Sequence, residues 1–216
     1  MSDILSLVRE LRERTGAGFL DCKTALVETN NHIDNAIENL RKKGLSKVNK
    51  KLLRETREGV VCINNQVKQA SMIQINTETD FAAKSDKFLS FVEKINQFSI
   101  NAKNVEDLRE LKDKEGITVN GILNDAIVTI GENIVLSKFE NIQATENMKI
   151  FDYIHNSYKK NIGKIGCLLI VYSEEFNDQL LKISQNICMH IAALKPICVN
   201  IKDLDKKLID KEKSIL

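Results

Sequence analysis

The residue types that most often carry catalytic chemistry are few and scattered in this sequence of 216 residues. Its three histidines form no His-Glu-x-x-His pattern, so the spacing that places two zinc ligands on one helix face is missing. The nearest approach to a phosphate-binding loop is Asn161–Gly166 (NIGKIG). A P-loop requires a glycine five residues before its Gly-Lys pair, and that position is Tyr158. The sequence therefore indicates neither a nucleotide site nor a catalytic centre of its own.

Cysteines are the remaining reactive groups. The five are Cys22, Cys62, Cys167, Cys188 and Cys198. An odd number without a Cys-x-x-Cys pair argues against a disulfide framework and against a zinc ribbon. A cysteine-dependent enzyme stays an alternative, because a thiol can meet a distant histidine in a fold, but a buried, inert thiol is the commoner outcome. Titration of the thiols in the folded protein distinguishes the two.

The stretch Thr79–Ala83 (TDFAA) is a connection with unexpected side chains. An alternating apolar run precedes it and an amphipathic helical pattern follows it, so a strand is expected to lead through it into a helix. The connection nevertheless places the acid Asp80 beside the aromatic Phe81. From these residues alone, Phe81 either packs into the core, as aromatic side chains usually do, or is held out for another molecule.

Composition limits the class of protein. Apolar residues make up 43% and charged residues 29%, with a formal net charge of +2, which is too balanced for nucleic-acid binding driven by bulk electrostatics. No window holds the ~18 uninterrupted apolar residues of a membrane helix, and the N-terminus has no charged-then-apolar signal segment. We expect a reduced, cytoplasmic protein that has no cofactor or metal and does not bind nucleotide, nucleic acid or membrane directly.

The spacing of apolar residues predicts the organisation of the chain. Residues 1–44 show three helical patterns, the last ending at Gly44, and are expected to form a small three-helix module. A basic, helix-permissive linker follows over 45–58. Two cycles of strand, hairpin, strand and helix then predict a core N-subdomain over 59–141 and a core C-subdomain over 142–216. The expected fold class is α+β, with an antiparallel sheet in each subdomain.

Two longer motifs resemble a known family. Leu11–Leu26 (LRERTGAGFLDCKTAL) and Ile75–Phe88 (INTETDFAAKSDKF) are similar to the two signature regions of bacterial elongation factor Ts. Three shorter motifs match in the same order: Ile130–Ile134 (IGENI), Tyr153–His155 (YIH) and Met189–Pro196 (MHIAALKP). A single short motif would be weakly specific, whereas five in register across the chain are specific.

This resemblance implies a guanine-nucleotide exchange factor for elongation factor Tu, the GTPase that carries aminoacyl-tRNA in protein biosynthesis. Members have an N-terminal module like a ubiquitin-associated (UBA) domain, followed by a core of two α+β subdomains. The implied function is to bind the GDP form of elongation factor Tu, displace its Mg²⁺ and promote GDP release, without being an enzyme. This organisation agrees with the division derived above from periodicity.

The resemblance also implies which residues act. In the family, the loop that matches Asp80, Phe81, Ala82 and Ala83 enters the partner near its magnesium and nucleotide phosphates. By analogy, Phe81 is a wedge between partner helices and Asp80 accompanies it. The family usually has Val where this sequence has Ala82, which removes bulk beside the wedge. The positions that match other partner contacts are Arg12, Phe19, Leu20, Lys23, Lys51 and His155.

Several questions stay open at this point. A UBA-type adaptor that binds helices without exchange activity would need only residues 1–44 and would leave Phe81 without a role. Longer family members continue into a coiled-coil segment and a C-terminal helical module, so the sequence leaves open whether the C-subdomain is complete at its C-terminus. The sequence also leaves open whether the chain forms a homodimer.

Overall fold

Helices and strands follow one another along residues 4–15 and 17–214, which are the residues that the computed structural model describes. In chain order the elements are α1 (Ile4–Thr15), α2 (Phe19–Glu28), α3 (Ile33–Lys51), β1 (Glu58–Gln66), β2 (Gln69–Thr77), α4 (Asp80–Lys84), α5 (Asp86–Ser99), α6 (Val105–Glu110), α7 (Val119–Ile130), β3 (Ile134–Gln143), β4 (Met148–Lys159), β5 (Ile162–Tyr172), α8 (Asp178–Leu194) and α9 (Lys206–Lys213). The expected α+β class is confirmed.

The three N-terminal helices form a module with its own apolar core, as expected. Val8 and Leu11 of α1 pack with Cys22 and Leu26 of α2 and with Ala36 of α3, and all five are fully buried. These residues recur at helical spacing, so each helix presents one apolar stripe to the other two. The module is small, and among the described residues eleven side chains form its core.

Helix α3 does not end at Gly44, contrary to expectation, but continues to Lys51. A Cβ atom at Gly44 would lie only 3.3 Å from Cγ2 of Val128, so the missing side chain allows α3 to pack closely against α7. One turn later Val48 is buried in the main core. This burial offsets the roughly 1 kcal/mol that glycine costs inside a helix. The helix thus joins the module directly to the core, and the boundary between 44 and 45 stays a prediction.

The strands form one antiparallel sheet in the order β3-β2-β1-β5-β4. The expectation of two separate sheets is therefore wrong. The join between the two halves is narrow, because β1 pairs with β5 only at Val61–Gly163 and Cys62–Ile162. Periodicity along the chain could not reveal this join, since it pairs strands about 100 residues apart in sequence. The division into two subdomains stays a prediction.

Beyond this join, the β4–β5 hairpin packs against β2, which lies two strands away in the sheet order. Ile150 of β4 and Leu168 of β5 cluster with the buried Ala70 of β2. Gly166 permits the approach, because a Cβ atom there would lie 2.9 Å from Sδ of Met72 on β2. The hairpin therefore extends the sheet through its pairing with β1 and also packs against β2.

Two helix layers complete the core. Phe88 and Ile95 of α5 pack with Ile75 of β2 in the larger apolar cluster, to which α7 also contributes. Helix α8 covers the β4–β5 hairpin, where Cys188 contacts the cluster around Cys167. The larger cluster lies beneath the connection between β2 and α5, which contains the Thr79–Ala83 stretch.

The close packing of β5 against β4 yields a stability prediction at Gly163, the residue that also pairs with Val61 of β1. A Cβ atom there would lie 2.4 Å from Cγ2 of Ile154 and 2.9 Å from the carbonyl oxygens of His155 and Asn156. Gly163→Ala should therefore lower the free energy of unfolding by about 1–3 kcal/mol, measured by urea denaturation. Lys160→Ala, in the exposed turn of the same hairpin, is the control and should change it by less than about 0.5 kcal/mol. Equal midpoints for wild type and Gly163→Ala would contradict the close packing.

Candidate functional site

One end of the sheet brings three chain connections together. Strand β1 begins at Glu58, β2 ends at Thr77 and β3 begins at Ile134. Glu58 pairs with Thr77, and Thr77 pairs with Ile134, so these three strand ends are neighbours. The connection that leaves β2 contains Thr79–Ala83 and is flanked by the segments that enter β1 and β3.

The TDFAA stretch forms a short helix whose inner side is fixed on the core. Thr79 is extended, and its hydroxyl accepts a hydrogen bond from the amide of Ala82 at 3.2 Å, which caps the start of α4. Ser85 ends α4 and caps the start of α5 in the same way. Ala82 and Ala83 are buried. The two alanines thus occupy the core side of α4 and leave its other side to the solvent.

Phe81 lies on that outer side with 84% of its surface exposed. The core-packing alternative is therefore wrong, and the nearby core position is taken by the fully buried Phe88. Asp80 forms an ion pair with Lys84 one turn later, at 3.0 Å. The hydrogen bond from Lys84 lowers the pKa of Asp80 from its ordinary value. At neutral pH the loop thus presents an exposed phenyl ring beside an ionised carboxylate.

Glu132 holds the connection that leads into α4. Its Oε2 accepts hydrogen bonds from the hydroxyl of Thr77 at 2.8 Å and from the amides of Glu78 at 3.1 Å and Thr79 at 3.0 Å. Its Oε1 accepts a bond from the hydroxyl of Thr79 at 2.6 Å. Partial burial acts to raise the pKa of Glu132, but these hydrogen bonds outweigh it and lower the pKa. One ionised carboxylate therefore fixes three consecutive residues immediately before Asp80.

Gly131 allows Glu132 to reach that connection. Helix α7 ends at Ile130, and Gly131 has φ +93°, a left-handed conformation that glycine adopts without steric cost. The amide of Gly131 donates to the carbonyl oxygen of Ile127 at 3.1 Å and closes the last turn. The next side chain then meets the end of β2. This geometry gives a physical reason for the glycine and the acid in the IGENI motif.

A second set of bonds ties the segment before β1 into the same network. Oε1 of Glu78 accepts bonds from the amide of Asn133 at 2.6 Å and from Nη1 of Arg54 at 3.4 Å. The side-chain amide of Asn133 donates to the carbonyl oxygen of Arg54 at 2.7 Å and to that of Leu52 at 3.5 Å. Asn133 is only 1% exposed. A buried amide therefore fixes the turn at 52–54 against the start of β3.

The candidate contact residues of the N-terminal module lie close together at one end of it. Arg12 is in the last turn of α1, and Phe19, Leu20 and Lys23 are in the first turns of α2, directly after the connection between the two helices. All four side chains are exposed. The core of α2 is supplied instead by residues such as Cys22. The module thus presents two apolar and two cationic side chains at its surface, of which Leu20 is 76% and Phe19 42% exposed.

The other two candidate contact residues have partners within the chain. Lys51 is half-buried, and its Nζ donates to the carbonyl oxygen of Ile127 in the last turn of α7 at 3.2 Å. His155 is exposed on the edge strand β4, and its Nδ1 lies 3.1 Å from the hydroxyl of Tyr153. The roles of all the candidate contact residues stay predictions.

Sequence reasoning missed the residues that position the loop, which are Glu78, Glu132, Asn133 and Arg54. The IGENI motif contained two of them, but a motif does not reveal which side chains meet in the fold. The sequence Gly131-Glu132-Asn133 at a predicted helix end could have indicated Glu132 and Asn133. A glycine stop followed directly by an acid and an amide indicates polar side chains placed to bond to neighbouring backbone.

The described part of the chain gives no sign of a metal centre, and its Cys62 thiol is inert. Within residues 4–15 and 17–214 no group of three or more His, Cys, Asp or Glu side chains could hold a metal ion. Cys62 is buried, and burial raises the pKa of its thiol to about 12, so it is protonated at neutral pH. No helix among the described residues is both long and apolar enough to cross a bilayer.

Comparisons with known proteins identify the family. A family model described as "Elongation factor TS" matches residues 78–216. "Elongation factor Ts" of Aquifex aeolicus (strain VF5) is 41% identical over 220 residues, covering 97% of this chain and 73% of that protein. The chain belongs to the elongation factor Ts family.

Other elongation factor Ts proteins match over a similar extent. The protein of Caulobacter sp. (strain K31) is 38% identical, covering 97% of this chain and 68% of its own length. The protein of Gluconobacter oxydans (strain 621H) is 35% identical, covering 98% of this chain and 70% of its own length. The resemblance inferred from the five motifs is thus confirmed. Family membership makes this chain a translation elongation factor that takes part in protein biosynthesis.

The hydrogen bonds of Glu132 predict a pH-dependent stability. Glu132→Gln should lower the free energy of unfolding at pH 7 by about 1–3 kcal/mol, because charge-assisted bonds to Thr77 and Thr79 are lost. Folding lowers the pKa of Glu132, so its ionised form contributes this stability above the unfolded-state pKa of about 4.3. The difference between the two proteins should therefore shrink as the pH falls below that value and through the folded-state pKa. Urea denaturation over a pH series measures it.

The matched control is Glu140→Gln, because Glu140 is an exposed acid on β3. It should change the free energy of unfolding by less than about 0.5 kcal/mol at every pH. Hydrogen exchange should also accelerate at the amides of Glu78 and Thr79 in Glu132→Gln and not in the control. A stability loss that stays constant down to pH 2 would show that Glu132 acts by packing rather than by charge.

Proposed function

We propose that this protein is a guanine-nucleotide exchange factor that binds elongation factor Tu in its GDP form, displaces Mg²⁺ and promotes GDP release. The observation that carries the proposal is the 84% exposure of Phe81 on a connection held by both carboxylate oxygens of Glu132. Membership of the elongation factor Ts family supports it. In this proposal the partner supplies the nucleotide site, and the factor is neither an enzyme nor a nucleotide- or cofactor-binding protein.

The Asp80-Phe81 loop acts on the partner's magnesium site. Mg²⁺ requires near-ideal octahedral coordination, so a small displacement of the groups around it costs much binding free energy. Burial of a phenyl ring contributes roughly 1.5–3 kcal/mol, and each 1.4 kcal/mol changes an affinity about tenfold. Insertion of Phe81 can therefore weaken nucleotide binding by about one to two orders of magnitude. A larger effect requires the rest of the interface.

Phe81 can displace groups of the partner only if the loop that carries it keeps its own position. Glu132 fixes the residues up to Thr79, and the cap of Thr79 fixes the start of α4. Ala82 and Ala83 are buried, so in this proposal they act by anchoring α4 on the core, while Asp80 and Phe81 make the contact. Preorganisation of this kind saves the free energy of ordering a loop on binding.

The remaining candidate residues provide binding surface away from the wedge. The exposed Arg12, Phe19, Leu20 and Lys23 contact the nucleotide-binding domain of the partner, and Lys51 and His155 add contacts from the core. The proposed location is the cytoplasm, because translation elongation takes place there. A UBA-type adaptor without exchange activity would use the four module residues alone and would give no purpose to the exposed ring of Phe81.

Removal of the ring tests the exchange function. Phe81→Ala should leave the free energy of unfolding within about 0.5 kcal/mol of wild type, because an exposed side chain contributes little to the core. Its acceleration of fluorescent GDP release from elongation factor Tu should fall about ten- to a hundredfold. Val67→Ala is the control, since Val67 is equally exposed (84%) in the β1–β2 turn at the opposite end of the hairpin. Unchanged exchange by Phe81→Ala, or a large loss of its stability, would contradict the wedge.

The magnesium mechanism also predicts that the contribution of the Asp80-Phe81 loop to binding depends on Mg²⁺. Binding of the factor and of Mg²⁺-GDP to the partner must be mutually antagonistic if the factor weakens nucleotide binding. A group that acts only by displacing Mg²⁺ contributes no antagonism once the ion is absent. A chelator should therefore shrink the affinity difference between wild type and an Asp80→Ala, Phe81→Ala double variant, measured calorimetrically on the GDP-loaded partner. An equal difference with and without Mg²⁺ would mean that the loop is only an adhesive contact.

A further inference from the structure

Leu53 is 91% exposed, more than Phe81, and its neighbour Leu52 is also exposed. The two leucines lie in the turn that follows α3 and precedes β1. A single exposed leucine is ordinary on a protein surface. This one is unusual because the backbone that carries it is fixed by a buried polar side chain.

The turn has a defined shape. The amide of Arg54 donates to the carbonyl oxygen of Lys51 at 2.8 Å, which closes the turn around Leu53. Asn133 donates to the carbonyl oxygens on both sides of Leu53, those of Leu52 and Arg54. Burial of a donor is costly unless it is bonded, so the Nδ2 group of Asn133, whose Oδ1 has no partner among the described residues, stabilises this one backbone conformation. These bonds thus fix the backbone at Leu53 in a conformation in which its side chain is 91% exposed.

The turn and the Phe81 loop belong to the same network. Glu78 accepts bonds from both Arg54 and Asn133, and its own amide donates to Glu132, which also holds Thr79. The two segments lie at the same end of the sheet, next to the paired ends of β1 and β2. Leu53 and Phe81 are therefore two exposed apolar side chains carried by a single rigid assembly.

We propose that Leu53 is a second apolar contact with the partner that Phe81 enters, and that it occupies an apolar depression next to the one that receives the ring. This inference rests on the proposed function. The surrounding charges are of both signs and paired, Arg54 with Glu78 and Lys84 with Asp80. Paired charges of this kind suit the polar rim of an interface with a folded protein.

The two side chains have different tasks. Phe81 acts against bound nucleotide, so its contribution appears in the maximal rate of GDP release. Leu53 lies in a different connection, the turn between α3 and β1. In this proposal it does not reach the magnesium site, so its contact contributes equally whether or not nucleotide is bound. A contact of this uniform kind changes the concentration of factor needed for half-maximal exchange and leaves the maximal rate unchanged.

Fluorescent GDP release from elongation factor Tu, measured over a range of factor concentrations, tests this assignment. Leu53→Ala should raise the half-maximal concentration about tenfold at an unchanged maximal rate. Leu53→Met retains the apolar volume and should behave as wild type, as should the control Val67→Ala. Phe81→Ala should instead lower the maximal rate. Thermal unfolding of Leu53→Ala should match wild type, because the side chain is in solvent.

The outcomes separate this inference from the proposed function. If wild type accelerates GDP release and Phe81→Ala does not, but Leu53→Ala has an unchanged half-maximal concentration, then only the role of Leu53 is wrong. If wild type fails to accelerate release, the proposed function and this inference both fall. A lowered melting temperature of Leu53→Ala would assign the side chain to the fold and would overturn its role as a contact.

Discussion

The carboxylate of Glu132 is the interaction on which the candidate site depends. It receives four hydrogen bonds from three consecutive residues, two from backbone amides and two from hydroxyls. The two amides, those of Glu78 and Thr79, lie where β2 has ended and α4 has not begun, so neither element satisfies them. The carboxylate of Glu132 therefore accepts the backbone hydrogen bonds that a strand or a helix would otherwise accept at this point. It fixes Thr79, whose hydroxyl caps α4, and Phe81 lies on the outer side of that helix.

The rest of the architecture explains how a large aromatic side chain can stay outside the core. Ala82 and Ala83 occupy the inner side of α4, and Phe88 fills the space beneath the start of α5. The core is complete without Phe81, so no burial is lost when the ring is in water. At the same end of the sheet, Asn133 and Glu78 hold the turn after α3. The end of α3, the start of α4 and the end of α7 thus form one preorganised surface.

Local signals in the sequence predict much of this structure. The helix from Val119 to Ile130 follows from its apolar spacing and from the glycine stop at Gly131, and the β1–β2 hairpin follows from alternation and turn residues. The three-helix module is predictable in the same way. Each of these elements is specified by residues that are close in sequence.

The features that could not be predicted are those that join distant segments. A Gly44 at the end of an apolar pattern indicates a helix stop, and only the contact with Val128 reverses that expectation. Two residue pairs merge the sheet halves, and no local pattern marks them. For Phe81 the residues alone left two alternatives, and the family resemblance favoured the exposed one. The role of Glu132 required the fold itself, since its partners lie more than 50 residues earlier in the chain.

The central claim is that Glu132 serves exchange through the Phe81 loop, and a double-mutant cycle on GDP release from elongation factor Tu tests it most directly. Glu132→Gln and Phe81→Ala should each slow release, and the loss in the double variant should be clearly smaller than the sum of the two, because a loop without its ring gains less from being held. Leu20→Ala, on the separate helical module, should instead add its effect to that of Phe81→Ala. Additive losses for Glu132→Gln and Phe81→Ala would contradict the claim and would give Glu132 a role independent of the wedge.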